Sequence, residues 1–182
     1  MSEIPWLWPG VAVAVVAGLI LANRVARLLG TGRAVGWLAV VAVGAILSAT
    51  LTPGREALES GTSGRGTCDF QRLGPAGPSD LLSTSEAGPN ILLFIPLGAV
   101  IGLLPGGRRR AALTAAAVAL PVVIEATQLV VVPFDRACES ADVIDNLTGL
   151  GIGVLVGWLV GRSEPIRTRL GLASRPGQDG QR

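Results

Sequence analysis

Six polar residues in this chain have the types and spacing to do chemistry: Asn90, Glu125, Gln128, Arg136, Asp142 and Asn146. Glu125 and Gln128 are three apart, so a helix presents them on one face. Asp142 and Asn146 are four apart and share a face in the same way. A carboxylate in an apolar run costs a few kcal/mol on insertion scales, about 2.5–3.5, so it should face a bundle interior or a wet cavity. There Glu125 can hold a ligand, or act as general acid or base with its protonation tuned by burial. A guanidinium such as Arg136 suits an external phosphate or carboxylate, or pairs with Asp142. Histidine is absent, and no serine or cysteine sits beside a base. A nucleophilic triad and a histidine-bearing metal site are therefore excluded. Glu125, Asp142 and Asn146 have oxygens a divalent ion could use, but no motif singles one out; the expectation is no metal and no cofactor.

The elements that must position these residues are apolar runs. Residues 4–23, 34–54 and 87–107 carry no charge, 111–134 carries only Glu125, and 143–161 carries only Asp145. Each approaches the roughly 20 residues that cross a hydrocarbon core of about 30 Å. Backbone in lipid must satisfy its own hydrogen bonds, so these runs become helices. The expected fold is all-α, a polytopic membrane bundle of five transmembrane helices spanning 1–161. The tail, 162–182, is polar and arginine-rich and is expected to be cytoplasmic and disordered. Neither a soluble enzymatic domain nor a nucleic-acid partner fits a chain that is 49% hydrophobic and 15% charged.

All fifteen basic residues are arginine, and their distribution orients the bundle. Eleven fall between spans one and two, between spans three and four, or after span five; Arg55, Arg65, Arg72 and Arg136 fall on the other side. The positive-inside rule then predicts the N-terminus outside and the C-terminus in the cytoplasm, with a multi-pass cytoplasmic-membrane location. Met1 to Pro5 lacks a basic leader, so no cleavable signal is expected. Trp6 and Trp8 would lie at the outer interface. The two cysteines, Cys68 and Cys138, both fall in external loops. An oxidising compartment favours their pairing as a disulfide.

Geometry then places the polar residues near the outer surface. Span four runs outward, which puts Glu125 roughly 12 Å below Pro133 at 1.5 Å per residue. Pro96 and Gly98 of span three lie at about the same depth, so Gly98 is expected to leave room beside Glu125. Pro96 frees the carbonyl of Leu92. Gly149, Gly153, Gly157 and Gly161 recur every fourth residue, and with Gly98 they read as helix-packing positions. Asp142 and Asn146 continue that stripe outward, whereas Asp145 lies about 100° away and is expected to meet headgroups.

The ordered set Asn90, Phe94-x-Pro96-x-Gly98, Glu125-x-x-Gln128, Arg136, Asp142-x-x-x-Asn146 and Gly149-x-x-x-Gly153 resembles the VanZ-like family of bacterial membrane proteins. The likeness covers about residues 51–161 and includes the Thr52-Pro53 exit from span two. Asp145 departs from the family's usual uncharged residue. The resemblance implies a cell-envelope role; the namesake accompanies glycopeptide (antibiotic) resistance and reduced sensitivity to teicoplanin, a link that does not extend to every member.

Three functions compete. The first is an outer-leaflet site in which Asn90, Gln128, Arg136, Asp142 and Asn146 bind a membrane lipid, a lipid-linked envelope precursor or a lipid-tailed glycopeptide. The second is a membrane hydrolase or transferase with Glu125 as the catalytic residue. The third is a structural or assembly subunit whose polar residues only set packing. Transport fits less well, because five spans offer no inverted repeat.

Overall fold

The computed structural model describes residues 6–52, 68–70, 72, 74, 87–130 and 138–163. The helices among these residues are α1 (Leu7–Leu29), α2 (Arg33–Thr50), α3 (Ala87–Leu103), α4 (Arg108–Val130) and α5 (Ser140–Val160). Two-residue strands, β1 (Cys68–Asp69) and β2 (Cys138–Glu139), pair in parallel just before α5. The long loop's remaining residues, Arg136 and the tail beyond residue 163 lie outside the described residues.

Among the described residues four helices are long and apolar enough to cross a membrane; α3, with 17 residues, is shorter. Large side chains such as Val13, Leu19, Ile20 and Leu92 point outward and are exposed, as lipid-facing residues must be. The inward cluster is made by Ile46 of α2, Phe94, Leu97 and Ile101 of α3, Ile124 of α4 and Leu150 of α5. An all-helical bundle of apolar helices is the architecture of an integral membrane protein.

The helix ends differ from the sequence expectation in one respect. Arg24 and Arg27 fall inside α1, and Arg108 to Arg110 form the first turn of α4 rather than a loop. Arginine is a good helix former, so these basic residues extend the helices instead of ending them. Gly30 adopts φ 68°, and the N–H of Thr31 bonds to the Ala26 carbonyl at 3.0 Å, closing α1 with a Schellman turn. Pro96 and Pro121 are both accommodated within continuous helices.

Two helix pairs carry the packing. In the α3–α5 pair, a methyl group at Gly153 would lie 2.9 Å from both Gly98 Cα and Ala99 N. Gly149 meets the Ile91 carbonyl, Gly153 that of Ile95 and Gly157 that of Ala99. Partner positions climb together, so α3 and α5 run parallel with backbones in direct contact. In the α1–α2 pair, Gly44 meets Ala14 and Gly36 meets Ala22, so those helices are antiparallel. Small residues allow this closeness, and packing contacts are what join helices in lipid.

Candidate functional site

The entry of α5, from Glu139 to Asn146, is the point where the other elements bring their polar groups. Asn90 stands in the first turn of α3, and Asp142 in that of α5; the parallel glycine contact sets the two turns side by side. Asn90 Nδ2 donates to Asp142 Oδ1 at 2.6 Å. Asn90 and Asp142 are both half-buried. This bond continues the α3–α5 contact beyond its last glycine, Gly149.

Asp145 is wholly buried, which overturns the expectation that it meets headgroups. Arg72 takes it in a bidentate grip: Nη1 donates to Oδ1 at 3.0 Å, and Nη2 pairs with Oδ2. Nη1 also donates to the Gly74 carbonyl at 3.1 Å, and the Ser140 hydroxyl donates to the Arg72 carbonyl at 2.9 Å. Arg72 therefore covers the α5 face that faces lipid if only the glycine stripe is considered. A guanidinium fork matches a carboxylate with two parallel bonds, which suits it to a buried acid. Sequence reasoning missed Arg72, because its surroundings have no hydrophobic period to show that they dock.

Glu125 is buried on α4, and its Oε2 accepts the backbone N–H of Glu139 at 2.9 Å. Glu139 is the residue that caps α5, with φ −127° and ψ 125°. The room expected for Glu125 beside Gly98 is taken by another helix. The space at Gly98 is filled by the α5 backbone, with Gly153 Cα and Val154 N each 2.9 Å from the position a Cβ would take. Gly98 thus serves the α3–α5 contact, and Glu125 turns toward the chain entering α5.

Gln128, one turn along α4, is buried and donates through Nε2 to the Thr50 carbonyl at 2.9 Å. Thr50 ends α2, where carbonyls lack an intrahelical partner. Gln128 thereby joins α4 to α2 instead of extending the carboxylate cluster. Asn146 is 2% exposed, and its Oδ1 has no hydrogen-bond partner. Buried polar atoms are rarely left so, and each exception calls for an account. Arg136 lies outside the described residues. Cys68 and Cys138 stand opposite each other in the β1–β2 register, and Cys68 is not a free thiol.

The structure therefore brings Asn90, Asp142, Asp145, Glu125 and Arg72 onto the α5 entry, with Asn146 one turn deeper. Trp6 and Trp8 lie at the same end, since α1 there packs Gly10 on Ser48. Among the described residues no three of His, Cys, Asp and Glu come together as metal ligands. The arrangement can accept and donate hydrogen bonds to a polar group.

No match emerges among curated proteins or among solved structures. A protein-family model does match, over residues 50–161, and it is described as VanZ/LLP1. That segment begins at the α2 carbonyl held by Gln128 and ends where the α5 glycine stripe ends, so it contains the α5-entry contacts described above. By that match the chain belongs to the VanZ/LLP1 family.

Proposed function

We propose that the α5 entry holds the polar head of an amphiphile drawn from the adjoining leaflet. The fitting class is a membrane lipid, a lipid-linked cell-envelope component or a lipid-tailed glycopeptide. The arginine distribution supports assigning that leaflet as the outer one, with the N-terminus outside, the C-terminus cytoplasmic and the protein in the cell membrane. The observation that carries the reading is Asn146 Oδ1, a buried acceptor left open in a cluster whose other side chains are bonded. In a dry interior such an atom is costly unless something donates to it. A ligand hydroxyl or amine would do so.

A structural reading is favoured by the same bonds seen differently. Asn90, Gln128, Asp145 and Glu125 each join two chain segments, as an assembly subunit's polar residues would. Glu125 as general acid or base is the third reading. Asn146→Leu separates the first two. Protein purified in mild detergent should carry a specific lipid visible by mass spectrometry, and Asn146→Leu should lose it while melting at or above the wild-type temperature. Equal lipid retention by both proteins would leave the structural reading standing. Glu125→Gln keeps the acceptor for Glu139 N–H, so a loss of function with an unchanged lipid complement would point to catalysis.

A further inference from the structure

The opposite end of the bundle holds a site of different chemistry. The end of α1, the turn from Leu104 to Gly107 and the first turn of α4 line a half-open cavity of about 270 Å³. Leu29, Leu104 and Pro105 form its apolar wall, and Arg108, Arg109 and Arg110 its basic one. The arginines occupy the first helical turn, where the N–H groups are unbonded and the helix dipole is positive. No acidic residue offsets them in that turn, and the preceding Gly107 has no side-chain oxygen to cap it. Among the described residues none of the three has an ion pair.

Three cations at the positive pole of a helix repel that pole and one another, and an anion relieves both. The loop-charge rule explains why arginines collect at this end. It does not require them inside the helix, around a concavity with an apolar side. Arg109 reaches back toward Gly30, where Nη1 lies 3.8 Å from the position of an added Cβ, so the basic wall spans α1 and α4.

We propose that this cavity binds the phosphate of an anionic lipid from the leaflet at that end. The guanidinium groups and first-turn N–H groups take the phosphate oxygens. Leu29, Leu104 and Pro105 take the glycerol and the first methylenes, a contact that free phosphate cannot make. Basic pockets beside transmembrane helices suit anionic headgroups for these reasons.

The test titrates the full chain in nonionic detergent with short-chain phosphatidylglycerol, short-chain phosphatidylcholine and inorganic phosphate, reading binding by native mass spectrometry. Phosphatidylglycerol should saturate, and the other two should bind about tenfold or more weaker. Replacing Arg108, Arg109 and Arg110 by Gln should weaken phosphatidylglycerol by about tenfold or more. Gly106→Trp should do the same; it keeps every charge and adds bulk where nothing lies within 4 Å of an added Cβ. A paired Arg24→Gln, Arg33→Gln variant, outside the cavity wall, should change binding less than about twofold. Wild-type affinity in Gly106→Trp, or equal loss in the Arg24, Arg33 variant, would mean diffuse attraction and overturn the cavity. Phosphate saturating as tightly as the lipid would overturn the lipid as its source.

Discussion

Arg72 grips Asp145 through both terminal guanidinium nitrogens, although 73 residues separate them. The carboxylate is fully buried, whereas the arginine side chain keeps 35% of its surface exposed. The pair therefore pins a segment from the long loop against the start of α5. The Ser140 hydroxyl adds a second fastening by donating to the backbone of the same arginine.

Breaking the pair from one side strands a buried charge. Arg72→Leu should lower stability by about 3 kcal/mol, the low end for a buried pair because Arg72 is partly solvated. Arg72→Leu combined with Asp145→Leu should recover most of that loss. Thermal unfolding in detergent, followed by circular dichroism, checks both.

The glycine contacts predict a sharp contrast along one helix. Gly153→Ala drives a methyl into α3 backbone that cannot turn aside, so a loss of about 1–3 kcal/mol is expected. Gly151→Ala, two residues earlier, meets nothing within 4 Å. It should be neutral or gain up to about 1 kcal/mol from helix propensity. Melting curves of the two variants, run side by side, provide the measurement.

The facing of Cys68 and Cys138 leads to a covalent expectation. A non-reducing digest should release one peptide pair containing both cysteines. Reduction, or Cys68→Ser, should lower stability by about 2–4 kcal/mol. Separate peptides from protein never exposed to reductant would count against the bond.

Glu125 gives a graded series. Glu125→Gln retains an acceptor for the Glu139 N–H and should unfold near the wild-type temperature. Glu125→Ala leaves that N–H unmet and should lose about 1–3 kcal/mol. Amide hydrogen exchange at Glu139 should quicken in the alanine variant alone.

Orientation has its own check. With Gly106→Cys on intact cells, an impermeant maleimide should fail to label position 106, and should label it once the membrane is opened. Labelling without opening would reverse the assignment of the two leaflets.

Some of this was legible in the residues, and the reasons for the rest are physical. The four-residue repeat from Gly149 marked the α5 stripe, because backbone contact demands absent side chains at that spacing. The same signal lay unread in α1, where Gly10, Ala14, Gly18, Ala22 and Ala26 form its contact with α2. Alanine also fills ordinary helix positions and so carries less weight. Asp145 was misplaced because a helical angle measured from one stripe assumes one buried face, and Arg72 supplies a second. Gln128 could not be assigned to Thr50, since no periodicity states which helix ends will be neighbours.

The α3–α5 contact repeats at Ile91 with Gly149, Ile95 with Gly153 and Ala99 with Gly157, four residues further along each helix every time. Helices meshed in step cannot absorb an inserted residue, because one extra position swings all that follows by about 100°. Between them, the turn, α4 and the loop beyond it are under no such count. Length variation among relatives should therefore gather in the segment between Leu103 and Ser140, while the spans from Asn90 to Gly102 and from Asp142 to Gly157 keep their lengths unchanged.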